Sequence, residues 1–251
     1  MPQKLYGIAE FHPQMLLRYA WDSLNDDVRK LHGEEIQNLK LQFLYEEACL
    51  RVSSIALGQY QSNNRGLNRI FSKLGRGHLV ELQHASRAAK TAAEIIAKES
   101  QIIRELHPDM IYLEGTNSND PYDNMFHPLV RVILETGGQP VWLGVPEGYR
   151  EKVLEIERRM KAGPINRALK EEWRMLIEEK DSLWGDGIPK IAAKYSGTGL
   201  IVVGGDHLIE RDGFRGLTAH FLKEKGFEVE ILLAIDRREI AKQTGTPYYQ
   251  T

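Results

Sequence analysis

The run Leu200-Ile201-Val202-Val203-Gly204-Gly205-Asp206-His207 decides the fold class of this chain. Its first four residues are apolar and mostly β-branched, as expected for a strand that is buried on both faces of a parallel sheet. Two glycines end the strand, and two polar residues, Asp206 and His207, follow at once. The run therefore predicts a buried strand with reactive side chains at its carboxyl end.

Segments of the same kind alternate with helical patterns along the chain. Short apolar runs predict further strands at 78–82, 110–114, 141–145 and 227–235, with 4–9 as an optional addition. Apolar residues at helical spacing and glycine stops predict helices at 86–106, 128–136 and 214–225. Such alternation with short connections indicates βαβ units, so we expect an α/β fold with a mostly parallel sheet and helices on both faces.

Two segments depart from this alternation. Residues 1–75 are predicted to be mainly helical and to pack against an α/β core at 76–251, because apolar residues recur at helical spacing from 28 to 60. Residues 151–183 read as a charged helical pair broken at Gly163-Pro164. We interpret this pair as a solvent-exposed hairpin inserted in the core, with a partner-binding arm as the alternative.

Composition narrows the classes of function. Lysine and arginine number 33 against 35 acidic residues, so the net charge of -2 gives no electrostatic case for nucleic acid or an anionic membrane as the main partner. Cys49 is the only cysteine, which excludes an intrachain disulfide and favours a reducing compartment. No apolar run approaches the ~20 residues that span a bilayer. We expect a cytoplasmic protein, with homo-oligomerisation left open.

Polar side chains follow four of the predicted strands, where open parallel sheets bind their ligands. They are Glu81 and His84 after the first strand, Glu114 and Asn117 after the second, Glu147 after the third, and Asp206 and His207 after the fourth. Any one of them alone is usually a capping or solvated residue. Together they predict a functional site, because clustered carboxylates repel each other unless a cation or a shared proton compensates.

Other chemical signals are weaker. Gly204-Gly205 lacks the Gly-x-Gly-x-x-Gly pattern of a nucleotide-binding loop, and the chain has no Gly-x-Ser-x-Gly elbow. Cys49 lies in a helical pattern with no catalytic partner nearby in sequence. The sequence therefore does not indicate nucleotide binding or acyl-enzyme chemistry.

From residue 78 to 235 the motifs resemble the TraB/Tiki/erythromycin-esterase superfamily. That family has a strand ending in Gly-x-x-His or Glu-x-x-His, a second strand ending in Glu, and a late strand ending in Gly-x-x-His. Here these are similar to Glu81-Leu82-Gln83-His84, to the strand that ends at Glu114, and to Gly204-Gly205-Asp206-His207. The resemblance implies that Glu81 and Glu114 are paired glutamates, and Lys180 stands where the family has an arginine.

A rival for the first motif is Gly7-Ile8-Ala9-Glu10-Phe11-His12. We rank Glu10 and His12 second, because the next strand that ends in Glu lies too far along the chain for one βαβ crossover. Members of the superfamily include metal-dependent peptidases, ester hydrolases, a haem-binding protein and membrane proteins that inhibit pheromones.

The resemblance leads us to expect a hydrolase that cleaves an ester, a lactone or a peptide bond in a small molecule or peptide. Water would be activated at a cluster of Glu81, His84, Glu114 and His207, with His84 as general base and His207 at the oxyanion or leaving group. Further substrate contacts are expected from Arg87, Asn117, Glu147, Lys180 and Asp206.

A divalent metal ion such as manganese or zinc is the cofactor that this site would take, with His84, Glu114 and His207 as ligands. The alternative function is a non-catalytic protein that binds haem or a signalling peptide in the same pocket. A third interpretation is a scaffold that acts through its N-terminal helices and charged hairpin.

Overall fold

The computed structural model describes residues 3–10, 79–115, 127–164, 166–195, 197–211 and 214–244. The strands are β1 Gln3–Glu10, β2 Met110–Leu113, β3 Gln139–Trp142, β4 Gly199–Gly204, β5 Glu210–Arg211, β6 Phe214–Arg215 and β7 Phe227–Ala234. The helices are α1 Leu79–Leu106, α2 His127–Glu135, α3 Tyr149–Ala162, α4 Arg167–Ala192, α5 Gly205–Leu208, α6 Leu217–Glu224 and α7 Arg237–Thr244. No helix within these ranges has the length and apolarity that crossing a membrane requires.

Five strands form one sheet in the order β3-β2-β4-β1-β7, and every pairing in it is parallel. The central strand is β4, which contains the first five residues of the quoted run together with Gly199. All six residues of β4 are buried. β5 and β6 form a separate antiparallel pair. The predicted α/β fold with a mostly parallel sheet is therefore confirmed, and β2 lies between its parallel neighbours β3 and β4.

Helices cover both faces of the sheet. Along β4, Leu200 and Val202 pack against residues of α1 and α2, whereas Ile201 and Val203 pack against residues of α4 and α6. Because successive side chains of a strand point to opposite faces, the apolar residues of β4 contribute to two hydrophobic cores, one on each face of the sheet. The face beneath α1 and α2 is called the α1 face below, and the face beneath α4 and α6 the α4 face.

β1 occupies a more important place than the sequence suggested. It lies between β4 and β7, and Leu5–Glu10 pairs in register with Gly199–Gly204. The optional strand at 4–9 is thus confirmed, and these residues belong to the α/β core. The helices predicted elsewhere in 1–75 lie outside the described residues, as does Cys49.

The strand predicted at 78–82 is wrong. α1 begins at Leu79 and continues for 28 residues to Leu106. The stretch contains no glycine or proline, so nothing separates its apolar opening from the helical pattern that follows. Pro108 and the positive φ of His107 end the helix.

The predicted hairpin is a helical pair, but only part of it is exposed. α3 ends before Gly163, and α4 begins after Asn166, whose side chain accepts a hydrogen bond from the Leu169 N–H at 2.9 Å. The second half of α4 packs Trp184 and Ile188 into the core on the α4 face. Within the predicted span 151–183, Lys180 and Asp181 are buried, and α4 continues beyond it to Ala192 to complete the crossover from β3 to β4.

Two glycines of α4 provide a test of this packing. A Cβ at Gly185 would lie 2.5 Å from Cβ of Phe221 on α6, whereas one at Gly187 meets no described atom within 4 Å. We expect Gly185→Ala to lower the free energy of unfolding by ~1–3 kcal/mol, the usual cost of overpacking. Gly187→Ala should leave it unchanged or raise it by up to ~1 kcal/mol through helix propensity. Urea denaturation of both variants measures the difference, and equal effects would contradict the α4–α6 contact.

Candidate functional site

The carboxyl ends of β1, β2 and β4 lie side by side at one edge of the sheet. β1 ends at Glu10, β2 leads directly into Glu114, and β4 leads into α5, which carries Asp206 and His207. The crossover after β2 covers the α1 face, whereas the one after β4 covers the α4 face. Parallel sheets bind ligands where neighbouring strands send their connections to opposite faces.

Glu114 uses both oxygens of its carboxylate. Oε2 accepts a hydrogen bond from the backbone N–H of Gly204 at 2.9 Å, and Oε1 accepts one from Nζ of Lys180 at 2.5 Å. The side chains of Glu114 and Lys180 are each only 7% exposed. Burial by itself lowers the pKa of Lys180, but attraction to Glu114 and Tyr149 outweighs it, so the pKa is raised. The two residues form a buried ion pair between β2 and α4.

Two aromatic rings surround the ammonium group of Lys180. Nζ lies 5.2 Å from the ring centroid of Tyr149 and 4.8 Å from that of Trp184, within the range of a cation–π interaction. The Trp184 indole donates a hydrogen bond to the carbonyl of Gly144 at 2.9 Å, which ties α4 to the loop after β3. Burial raises the pKa of Tyr149, whose hydroxyl also contacts Lys180. These rings restrict access of water to the ion pair.

His207 is held by a carboxylate on the same helix as Lys180. Its Nδ1 lies 2.8 Å from Oδ1 of Asp181, and the hydroxyl of Thr218 donates to the same oxygen. Its Nε2 lies 3.9 Å from Oε1 of Glu114. An ionised Asp181 can only accept, so Nδ1 carries the proton, and in the neutral ring Nε2 is the nitrogen with the lone pair. The ring also meets Trp184 edge-on at a centroid distance of 4.8 Å.

A second pair of acidic residues lies behind Glu114. Glu10 is 0% exposed, and the neighbouring Glu99 on α1 is 1% exposed. Burial, then Glu99, then the charge of Glu114 raise the pKa of Glu10 well above its usual value. Burial raises the pKa of Glu99 to about 7.

The structure brings together some of the predicted residues but not all. Glu114, Lys180 and His207 are in contact, Glu10 lies behind them, and Asp206 is buried on α5. Glu147 is exposed in the loop after β3. Glu81, His84 and Arg87 lie on the first turns of α1 rather than after a strand, and their side chains lie outside the described residues. His12 and Asn117 also lie outside the described residues.

Sequence reasoning missed Asp181 and Glu99, although a signal for both was present. Each is a charged residue on the apolar stripe of a helix: Asp181 lies between Ile177 and Trp184, and Glu99 lies between Ile96 and Ile103. Charged residues are almost never fully buried unless they are paired. Thr218 and Tyr149 carried no comparable signal.

The structure describes the side chains of two of the three predicted metal ligands, Glu114 and His207, and both contact other residues. Glu114 already accepts from an ammonium group and from a backbone N–H, and Nδ1 of His207 is bound to Asp181. Within the described ranges, no group of three His, Cys, Asp or Glu side chains could hold a metal ion. The metal site stays a prediction, and the mechanism proposed below uses none.

Comparison of the chain with protein-family models, with curated proteins and with solved structures finds no match. The resemblance to the TraB/Tiki/erythromycin-esterase superfamily therefore stays a prediction that rests on the motifs alone.

The Lys180–Glu114 pair predicts a large difference between two lysines of the helical pair. Lys180→Met should lower the free energy of unfolding by ~3–5 kcal/mol, because it leaves the Glu114 carboxylate buried without its cation. Lys152 forms a 3.1 Å pair with Glu179 whose side chains are about half exposed, so Lys152→Met should cost under ~1 kcal/mol. Chemical denaturation of the two variants compares them. A small effect of Lys180→Met would show that the pair contributes little.

Proposed function

We propose that the chain is a hydrolase that activates water with His207 and cleaves an ester, a lactone or a peptide bond. The observation that carries the proposal is the orientation of His207 at the ligand-binding edge of the sheet. Nδ1 is bound to the buried Asp181 carboxylate, while Nε2 lies 3.9 Å from Oε1 of Glu114, the oxygen that also binds Lys180. A histidine held by a carboxylate at one nitrogen and facing a site with the other is the usual arrangement of a general base.

In the proposed reaction, Nε2 of His207 removes a proton from a water molecule while the oxygen of that water bonds to the substrate carbonyl carbon. The carbonyl π electrons move to the oxygen, which becomes an oxyanion. Asp181 stabilises the imidazolium ion that forms and keeps the ring from turning. When the tetrahedral intermediate collapses, the bond to the leaving group breaks and Nε2 returns the proton to it. The roles therefore differ from the first expectation, in which His84 was the base.

Lys180 is the cation that would stabilise the oxyanion. An ammonium group has three N–H donors, and Glu114 accepts one of them. In the proposed site the Tyr149 hydroxyl and the oxyanion take the others. Burial makes such a contact stronger than it would be in water, because the local dielectric constant is low. Glu114, fixed by the Gly204 N–H, would hold the ammonium in place.

One observation favours the alternative of a binding protein without turnover. The charge of Lys180 is already balanced by Glu114, and both side chains are nearly inaccessible to solvent. Such a site can receive a polar group of a ligand, for example of haem or of a signalling peptide, without any chemical step. The two functions differ in whether product forms.

Hydrolysis assays on a panel of esters, lactones and peptides test the proposal. His207→Gln should lower kcat/KM by ~10²–10⁴, the usual range for loss of a general base. Asp181→Asn should cause a loss of up to ~10⁴, because an amide favours the wrong tautomer of the ring. His220→Gln is the matched control, since the His220 side chain is 57% exposed on α6. Turnover that His207→Gln leaves unchanged would rule out this mechanism, and ligand binding without any turnover would support the alternative.

A further inference from the structure

Thr218 is a completely buried polar residue in the first turn of α6. Its hydroxyl donates a hydrogen bond to Oδ1 of Asp181, which is 1% exposed on α4. The same oxygen lies 2.8 Å from Nδ1 of His207 on α5. A buried hydroxyl loses its contacts with water, so a partner within the protein has to replace them. Three helices thus meet at a single carboxylate oxygen.

Among the described residues, the carboxylate of Asp181 makes its hydrogen bonds through this one oxygen. Oδ2 is buried and accepts no hydrogen bond from the part of the chain that the structure describes. Of the two contacts at Oδ1, the one from His207 belongs to the ring that the carboxylate has to orient. The hydroxyl of Thr218 is therefore the described contact that holds the carboxylate independently of the histidine.

The packing of α4 against α6 brings the hydroxyl to the carboxylate. Gly185 on α4 lies so close to α6 that an added Cβ would be 2.5 Å from Cβ of Phe221. Gly185 comes one helical turn after Asp181, and Phe221 comes one turn after Thr218. Residues one turn apart lie on the same side of a helix, so both contacts belong to one interface. The missing side chain at Gly185 lets the two helices approach until Thr218 reaches Asp181.

The start of α6 is also packed against α5, which carries His207. Gly216, directly before α6, has a φ of +57°, and an added Cβ would lie 2.9 Å from the backbone carbonyl of Leu208. Leu208 directly follows His207 in the chain. The backbone that leads into Thr218 is therefore held beside the backbone that carries the ring. As a result, the hydroxyl, the carboxylate and the imidazole keep fixed relative positions.

This arrangement has a consequence for the direction of the His207 ring. The terminal torsion of an aspartate side chain is broad and roughly two-fold, so a carboxylate held by the imidazole alone can turn together with it. With Thr218 bound to the same oxygen, Oδ1 stays in front of Nδ1 and Nε2 keeps one direction. A general base has to be held close to its productive geometry, because small misplacements lower the rate.

We propose that Thr218 is a positioning residue, whose hydroxyl holds Oδ1 of Asp181 in the orientation that fixes the His207 ring. Thr218 acts on the reaction only through Asp181. The contact itself is a property of the fold, whereas its effect on turnover rests on the proposed hydrolase function.

Substitutions that remove or keep the hydroxyl test this role by kinetics. Thr218→Val removes the hydroxyl and keeps a side chain of nearly the same shape. It should lower kcat by roughly 10-fold, the scale on which residues of one hydrogen-bond network are coupled. KM should stay near the wild-type value, because the base moves while the surface that binds substrate does not. Thr218→Ser, which keeps the hydroxyl, should restore most of the lost kcat.

Thr136→Val is the matched control. The Thr136 hydroxyl donates to the carbonyl groups of Val132 and Ile133 on its own helix, α2. α2 leads into the start of β3, so Thr136 lies at the edge of the sheet opposite to the candidate site. Its kcat should equal that of the wild type. Wild-type kcat in Thr218→Val would overturn the positioning role, and so would a loss in Thr218→Ser as large as that in Thr218→Val.

Proton NMR of the imidazole measures the same role without any substrate. The Nδ1–H proton of His207, identified by its disappearance in His207→Gln, should exchange slowly with water in the wild type and in Thr218→Ser. Thr218→Val should raise its exchange rate by roughly 10-fold, because a ring whose partner is loosened opens more often. An exchange rate that Thr218→Val leaves unchanged would contradict the proposal.

The outcomes keep the two proposals apart. Wild-type protein that hydrolyses nothing would refute the hydrolase function and with it the effect of Thr218 on turnover. Faster exchange in Thr218→Val would then still establish that the hydroxyl holds the ring. If Thr218→Val does not fold, Thr218→Ser and Thr218→Ala decide, because they differ only in the hydroxyl. Equal kcat and equal exchange rates in these two variants would overturn the positioning role.

Discussion

The buried ion pair between Lys180 and Glu114 is the interaction on which the site depends. It joins the carboxyl edge of the sheet to the middle of α4. Lys180 lies next to Asp181 in the chain and one turn before Trp184, so the pair also places the carboxylate that holds His207 and the indole that packs against its ring. Removing one partner would leave a desolvated charge at the centre of this arrangement.

The sheet divides the acidic groups of this edge between its two faces. Alternation along β1 and β2 directs Glu10 to the α1 face and Glu114 to the α4 face. The negative charge of Glu114 on the α4 face is balanced by the cation of Lys180, whereas on the α1 face burial raises the pKa values of Glu10 and Glu99. Both solutions meet the constraint that clustered buried carboxylates cannot all remain ionised without compensation. Because Glu114 acts on Glu10 through space, a change on one face is felt on the other.

The sequence predicted the parts of the fold that one local pattern specifies. β2, β4 and β7 are short apolar runs between turn signals, and the parallel sheet follows from their alternation with helices. The start of α1 was not predictable in this way, because a short apolar run fits a strand as well as a helix turn. The importance of β1 was underestimated, because the number of residues between Glu10 and the next strand that ends in Glu was treated as a measure of their distance in space. Of the residues that converge at the candidate site, Glu114, Lys180 and His207 were predicted. Asp181 and Glu99 were not, because a charge on an apolar helix stripe was read as surface.

The structure also explains why a lysine suits position 180. A guanidinium group binds a carboxylate best through two parallel hydrogen bonds, which requires both oxygens. Oε2 of Glu114 accepts from the N–H of Gly204, and Lys180 binds Oε1 alone. An ammonium group needs only that oxygen and keeps its other N–H donors for further acceptors. The aromatic rings of Tyr149 and Trp184 then surround a compact charge instead of a planar fork. Pairing through one oxygen thus leaves N–H donors of Lys180 available at the point where the proposed reaction develops negative charge.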